Sequence, residues 1–372
     1  MKILWIHIGM AKTASSAIQA FCYENANILE SHGYCYPVFP FRYPGIAKAH
    51  NGRFLLGVIK DGNGKRDLEQ EQQNFKDGMQ MVHKLFLTHD NIILSDESIW
   101  RGMDCEKPDL WELMAKEAQK GNFQIRVIVY FRRQDKFFPS NWNQIVKKDG
   151  VTETFEHYFG RVDLFFLNYY EKLERMASII GKEHIIVRRF EPDKFIGGNI
   201  YHDFLSVLGL SFTAEYHITQ EIRNYGLYGN THEIKRALNF LPKLKEKSVR
   251  LFIVNCLWEF SDISQKEYPN EMFSKKEILQ ILETYSSGNQ KVAQEYLHEP
   301  GAKLFDNTVN DLPKWQKDNP YMADDIIRFI GSTRNYLYQE MQELKKECDE
   351  LNNWGKLIFH PLRTVLRRLR MG

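Results

Sequence analysis

Short apolar runs alternate with longer segments of helical periodicity along the first half of the chain. The short runs predict four strands, at Ile3–Ile8, Asn91–Ser95, Ile125–Phe131 and Ile185–Arg189. Helical spacing over Ala14–His32 places the turn after the first strand at Gly9–Thr13. This alternation is typical of an α/β fold, so we predict a P-loop-like parallel sheet flanked by helices, with sites at the carboxyl ends of its strands.

The strand signal fades after residue 215, and helical patterns dominate the remainder. We therefore predict an α/β core over 1–215, a mainly helical extension over 216–333 packed on that core, and a helical, basic tail over 334–372. Residues 35–66 are rich in Pro, Gly and aromatic residues without a clear period, which predicts a long surface excursion near a site.

A stripe of apolar residues opens the tail. Spacings of four and three alternate along Leu337, Met341, Leu344, Cys348 and Leu351. Because the stripe covers barely two heptads, we expect it to pack into the core; a dimeric coiled coil, and hence a homodimer, is the alternative.

The last residues, 354–372, combine apolar and basic side chains after Pro361. Leu362, Val365, Leu366 and Leu369 share one helical face, and Arg363, Arg367 and Arg370 occupy another. Two interpretations stay open, a helix at an anionic membrane surface and a docking helix with a solvated charged face.

Composition narrows the classes of partner. The 372 residues include 50 basic and 48 acidic ones, and a net charge of +2 gives no field that would favour nucleic acid. Five widely spaced cysteines predict neither a disulfide framework nor a zinc site. The amino-terminal apolar run is too short for a signal peptide, and no window approaches the roughly 20 apolar residues of a membrane span. We expect a cytoplasmic protein, with peripheral contact at the inner face of the membrane if the tail binds lipid.

The turn after the first strand has the composition of a phosphate-binding site. Backbone N–H groups and the dipole at a helix start favour an anion, hydroxyls of Thr13, Ser15 and Ser16 add donors, and Lys12 adds a positive charge. The alternative is that the two serines only cap the helix and Lys12 is a surface lysine.

An ordinary P-loop NTPase is not expected. The Walker A pattern would need glycine at positions 6 and 11, where this chain has Ile6 and Ala11. No apolar strand ends in the aspartate that would hold magnesium in such an enzyme.

A second motif follows the strand that ends at Phe131. Arg132 leaves the carboxyl end of this strand and Ser140 lies eight residues further on, near the start of the next helix, so both can converge on one phosphate. For the arginine alone, a surface ion pair would explain the residue equally well.

Together the two motifs resemble the sulfotransferase family that uses 3′-phosphoadenosine 5′-phosphosulfate (PAPS), most of all its bacterial carbohydrate and capsule-type members. The resemblance extends over residues 1–305 and includes further similar segments at Tyr130–Asp135, Asn143–Lys147, Tyr285–Asn289 and Glu295–Leu297. The family commonly has glycine where this chain has Ala14, and alanine costs on the order of 1 kcal/mol if this position needs positive φ.

The resemblance implies roles for individual residues. The 5′-phosphosulfate of PAPS, the co-substrate, would be bound by Gly9, Lys12, Thr13, Ala14, Ser15 and Ser16. Arg132 and Ser140 would bind its 3′-phosphate. Lys12 would also be catalytic, because it would stabilise the leaving phosphate during in-line transfer to a hydroxyl or amine of a carbohydrate or glycan acceptor. No metal is required by this scheme.

A general base is expected near the acceptor hydroxyl. Glu97 is the leading candidate, because it follows the strand Asn91–Ser95 and looks like the glutamate at that place in glycan sulfotransferases. We expect its neighbour Asp96 to point elsewhere, while His50 and His89 remain alternatives. Arg133 could contact the nucleotide or the acceptor, but an ion pair with Asp135 explains it equally well. Aromatic residues of the excursion could stack on sugar rings, but core packing is the commoner role of such residues. They include Tyr36, Phe39, Phe41 and Tyr43.

Two other function classes remain open. A kinase-like enzyme using ATP with magnesium would explain the turn but not the pairing of Arg132 with Ser140. A catalytically inactive scaffold in polysaccharide assembly would explain Ala14 but gives no reason to keep Lys12 and Glu97.

Overall fold

The computed structural model describes residues 1–102, 109–161, 167–218, 226–242, 246–264, 269–299, 301 and 303–369, with the side chains of 259–264 and 352–369 left out. The chain divides into two compact units. The first comprises Met1–Trp142, Phe155–Asn224 and Phe273–Asp311, and the second comprises Asn143–Thr154, Tyr225–Met272 and Leu312–Gly372.

The first unit contains a five-stranded sheet in the order β2-β3-β1-β4-β5, and all of its strand pairs are parallel. Its strands are β1 (Ile3–His7), β2 (Tyr34–Cys35), β3 (Asn91–Ser95), β4 (Gln124–Phe131) and β5 (Ile185–Arg189). The predicted α/β class with a parallel sheet is confirmed, and so are the four predicted strands to within one residue at each end.

The described helices of the chain flank this sheet or form the second unit. They are α1 (Ser15–Glu24), α2 (Ala26–Ser31), α3 (Leu68–Leu85), α4 (Ser98–Gly102), α5 (Leu110–Gly121), α6 (Gln134–Lys148), α7 (Phe155–Arg161), α8 (Tyr169–Ile180), α9 (Ile200–Val207), α10 (Asn230–Leu238), α11 (Lys247–Ser264), α12 (Lys275–Glu295) and α13 (Met322–Leu369). The described elements after β5 are helical, as predicted for the carboxyl-terminal part.

The central strand β1 has neighbours on both sides. Ile6 is opposite Leu94 on β3 and Val127 on β4, and all three side chains are fully buried. Apolar side chains alone can fill such a two-sided environment, which explains why the strand sequences are nearly continuous apolar runs. The same pairing aligns the carboxyl ends of three strands, where the polar residues His7 and Ser95 are opposite each other.

The segment predicted as one helix, Ala14–His32, forms two helices that meet at Asn25. The Asn25 amide donates to the carbonyl oxygens of Phe21 and His217, both over 2.8 Å, and is almost fully buried. A side chain that hydrogen-bonds the backbone in this way competes with helix continuation.

The second unit has its own apolar core, formed by Leu227, Ile234, Cys256, Leu257 and Phe329. The expectation that the tail stripe packs into a core is wrong for the described side chains. Leu337, Met341, Leu344, Cys348 and Leu351 are all exposed on α13. Among the described residues, no helix is both long and apolar enough to cross a membrane.

Candidate active site

The turn between β1 and α1 has an unusual backbone. Lys12 has φ 71° and Ala14 has φ 59°, so two non-glycine residues are left-handed within three positions, and Gly9 has φ 20°. Turns that contain left-handed residues bring successive N–H groups into one concavity and bind anions. The local backbone geometry is therefore compatible with the predicted phosphate-binding role.

The first helical turn of α1 leaves its donors available to such an anion. Among the described residues, the N–H groups of Thr13, Ala14, Ser15 and Ser16 donate to no backbone carbonyl, and no side chain caps the helix. The Thr13 hydroxyl is buried and donates to the carbonyl of Met10 over 2.5 Å, so it braces the turn. Ser15 is buried as well, whereas Ser16 is exposed.

Gly9 has no room for a side chain. A Cβ at this position would collide with the Ser15 hydroxyl and lie 3.2 Å from His7 Nε2. The close approach of β1 to the start of α1 therefore requires glycine.

His7 is the last residue of β1 and lies next to Gly9 of the turn. Its Nδ1 lies 2.7 Å from the Ser95 hydroxyl, while its Nε2 is buried without a hydrogen-bond partner. Burial, only partly offset by the charge of Asp96, lowers the pKa of His7 to about 3, so the ring is neutral. No role was predicted for His7 from the sequence; the signal that could have indicated one is a polar residue at the end of an otherwise apolar, buried strand.

Arg132 lies at the carboxyl end of β4 and connects the two predicted motifs. Its Nη1 donates to the carbonyl oxygen of Lys12 over 2.9 Å and to the Ser140 hydroxyl over 3.4 Å. The guanidinium lies 5.6 Å from the centre of the Phe190 ring, and Tyr169 donates to the Arg132 carbonyl over 2.6 Å. The structure thus brings Arg132, Ser140 and the turn together.

Glu97 lies on the other side of the turn, just after β3. The Gln19 side chain on α1 donates to Glu97 Oε2 over 3.0 Å, and His50 Nδ1 lies 3.5 Å from the same oxygen. The Glu97 side chain keeps 31% of its surface exposed. It is therefore held in place and still reachable by an acceptor.

Asp96 was expected to point elsewhere, but its carboxylate also reaches His50. Oδ2 of Asp96 lies 3.5 Å from His50 Nδ1, and Oδ1 lies 3.3 Å from Arg53 Nη1. Asp96 is fully buried and also accepts two hydrogen bonds from Ser98, which fix the position of its carboxylate.

The charges in this cluster shift each other's pKa values. Burial disfavours the imidazolium of His50, but the facing carboxylates outweigh burial and raise the pKa of His50. Burial likewise disfavours ionised Asp96, yet His50, Arg53 and the Ser98 hydrogen bonds together hold the pKa of Asp96 below its ordinary value.

His89, the other alternative base, is not part of this cluster. It precedes β3, at the opposite end of the strand from Glu97, and lies 3.2 Å from Glu30. Arg133 pairs with Asp135 over 2.7 Å, which is the ion pair considered from the sequence.

The excursion over residues 35–66 carries His50 to the site. Asn51 anchors it, because its amide donates to the carbonyl of Ile93 over 2.9 Å and accepts from the N–H of Ser95 over 2.8 Å. Its aromatic residues pack mostly on one another, with Phe39 and Phe41 against Phe54, as expected from core packing.

His50, Asp96 and Glu97 are also the one group of described residues whose potential metal-ligand atoms lie within 4.8 Å of one another. Arg53 already occupies one Asp96 oxygen, and a nearby guanidinium opposes a cation. The expectation that no metal is needed therefore stays a prediction.

Comparisons with known proteins give two matches. The chain is 27% identical over 183 residues to an uncharacterized protein of Archaeoglobus fulgidus. This alignment covers 46% of the chain and 45% of the archaeal protein. A crystal structure of a sulfotransferase from Alicyclobacillus acidocaldarius matches with a TM-score of 0.35 and 13% identity, over 59% of this chain and 86% of that one. No family model matches. Neither likeness is close enough to assign a function.

Proposed function

We propose that this chain is a sulfotransferase that transfers the sulfuryl group of PAPS to a hydroxyl or amine of an acceptor. The observation that carries the proposal is the position of Arg132, whose guanidinium contacts both the phosphate-binding turn at Lys12 and the hydroxyl of Ser140. A donor with phosphate on both its 3′ and 5′ oxygens needs two neighbouring anion sites. PAPS has this pattern, and ATP does not.

The residues at the turn fit the 5′ end of such a donor. The N–H groups from Thr13 to Ser16 face no competing carbonyl among the described residues, and Gly9 keeps the approach open. Arg132 and Ser140 would hold the 3′-phosphate through charge-assisted hydrogen bonds. PAPS is therefore compatible with the groups that the chain offers.

The transfer would be an in-line displacement. The acceptor oxygen or nitrogen forms a bond to sulfur while the bond from sulfur to the phosphate oxygen breaks, and the phosphate leaves with that electron pair. The Lys12 ammonium would neutralise the charge that develops on the leaving phosphate. Glu97 would accept the proton that the acceptor loses.

We expect the acceptor to be a carbohydrate or glycan. The support comes from the sequence resemblance to carbohydrate-type members and from the polar groups around Glu97, where His50 and Arg53 are only partly buried. A hydroxyl-rich acceptor can hydrogen-bond to such groups.

Calorimetric titration with 3′-phosphoadenosine 5′-phosphate, ADP and magnesium-ATP tests the donor site. We expect the 3′-phosphorylated nucleotide to bind at least about tenfold more tightly than ADP, and Arg132→Ala to remove this preference. Arg175→Ala is the matched control, because Arg175 pairs with Asp109 on the surface. A preference for magnesium-ATP would favour the kinase-like alternative, and absence of nucleotide binding would favour the inactive scaffold.

We also propose that the basic tail, 354–372, contacts anionic membrane surfaces; its side chains lie outside the described ones. Sedimentation with vesicles containing about 30% anionic lipid tests this, with Arg363→Glu/Arg367→Glu as the variant. Equal sedimentation of wild type and variant would exclude the electrostatic contact.

A further inference from the structure

Helix α13 has one face that is packed within the second unit. Phe329 is buried against the apolar core, and Asp325 is buried and accepts a 2.9 Å hydrogen bond from Asn230. Tyr336 lies against Phe252 on α11, with ring centres 5.3 Å apart. Beyond Tyr336, every residue from Leu337 to Leu351 is exposed.

A second face of the same helix carries an apolar stripe that nothing among the described residues covers. Its apolar side chains retain 53% to 70% of their surface at Ile327, Ile330, Leu337, Met341, Leu344 and Leu351. Arg334 and Cys348 complete the series and are exposed too. Surfaces of this kind usually bind a partner, because contiguous apolar patches are uncommon on monomers.

The spacing of the stripe identifies the shape of the partner. From Ile327 to Leu351 the positions alternate by three and four, which gives an unbroken heptad with a and d positions. The a positions are Ile327, Arg334, Met341 and Cys348, and the d positions are Ile330, Leu337, Leu344 and Leu351. A strict heptad fits another helix with the same repeat better than a flat lipid surface. Leucine at three of the four d positions, with Ile327 at an a position, is compatible with a two-stranded coiled coil.

We propose that this stripe binds the same stripe of a second copy of the chain, in a parallel, in-register, two-stranded coiled coil. The charges beside the stripe favour this orientation. Glu340 at a g position faces Lys345 at the following e position of a parallel partner, whereas an antiparallel partner would bring Glu340 and Glu347, both at g positions, towards each other. This inference does not depend on the proposed sulfuryl transfer.

Sedimentation equilibrium of the full chain tests the second copy as occupant. Wild type is expected at twice the 44.0 kDa chain mass. Leu344→Glu is expected to dissociate at least about 100-fold more readily, because it places two like charges in the seam. Gln342→Glu adds the same charge at an exposed position outside the stripe and is expected to stay dimeric. A monomeric wild type at about 100 μM would overturn the proposal, as would dimers that Leu344→Glu leaves intact.

Cys348 tests the orientation. In a parallel, in-register pair each Cys348 faces its counterpart, at the Cα separation of about 4.4–6.8 Å that a disulfide spans. Mild oxidation is expected to yield a covalent dimer in wild type and none in Cys348→Ser. Glu340→Lys is expected to weaken the dimer, and Glu340→Lys/Lys345→Glu to restore it. Dimers that fail to cross-link, or a double variant as weak as the single one, would overturn the parallel register.

Discussion

The Gln19 side chain donates a 3.0 Å hydrogen bond to Glu97 Oε2, and this bond connects α1, the helix that follows the Gly9–Thr13 turn, to the candidate base. Gln19 is fully buried, so its position is fixed by the packing of α1. Glu97 is thereby held against the helix that begins at Ser15, directly after the turn. The candidate base therefore lies beside the turn and not at a separate place on the sheet.

Replacing Glu97 with glutamine removes the proton acceptor and keeps the shape of the side chain. If Glu97 is the general base, the rate of sulfuryl transfer falls at least about 100-fold, while binding of 3′-phosphoadenosine 5′-phosphate changes little. Turnover with radiolabelled donor and a glycan panel measures the first quantity, and calorimetry measures the second. Glu69→Gln, at an exposed carboxylate on α3, is the control. Full activity in Glu97→Gln would rule out Glu97 as the general base.

The raised pKa of His50 predicts a pH-dependent contribution to stability. A histidine whose folded pKa exceeds its ordinary value of 6.5 contributes stability that is complete below pH 6.5 and is lost as pH rises through the folded pKa. The gap in free energy of unfolding between wild type and His50→Asn should therefore shrink as the pH rises above 6.5.

Urea unfolding at a series of pH values measures this gap, and the same substitution at the exposed His298 is the control. Asp96 does not contribute in this window, because its lowered pKa affects stability only as pH falls below its ordinary value of 3.8. A gap that stays constant or widens with pH would mean that His50 is not held as the cation.

The strands and the turn could be predicted from the sequence because their signals are local. Ile3–His7 and Asn91–Ser95 are apolar runs bounded by polar residues, and the run of small and polar residues after Ile8 marks the turn. The two-residue strand Tyr34–Cys35 was missed, since it exists only through its pairing with β3. Such a short strand has no periodicity of its own.

The environment of the candidate base could not be predicted in full. His50 and Glu97 are far apart in sequence, and their contact depends on Asn51 attaching the excursion to β3.

The apolar stripe on α13 shows a second limit of prediction from sequence. Its heptad was visible, but spacing alone does not tell a buried face from an exposed one, because both need apolar residues at the same positions.

Substituting Gly9 with alanine tests the close approach of β1 to α1. The new Cβ would collide with the Ser15 hydroxyl, so the turn must shift and nucleotide binding should weaken at least about tenfold, with a loss of about 1–3 kcal/mol in stability. Gly33→Ala is the control, because Gly33 also has positive φ, at 82°, but nothing lies within 4 Å of its Cβ position. We expect that variant to bind nucleotide normally. Equal effects in the two variants would assign the loss to backbone strain alone.

Ala14→Gly tests the left-handed start of α1. Alanine at φ 59° bears a steric cost that glycine avoids, so the variant should gain about 0.5–1 kcal/mol in free energy of unfolding despite the greater freedom of glycine in the unfolded chain. Ala17→Gly, inside the same helix, should lose about 0.5–1 kcal/mol. Urea unfolding of both variants gives the comparison, and calorimetry should show nucleotide binding retained in Ala14→Gly. A similar loss of stability in the two variants would contradict a left-handed Ala14. Glycine is expected to destabilise both positions only if Ala14, like Ala17, is right-handed.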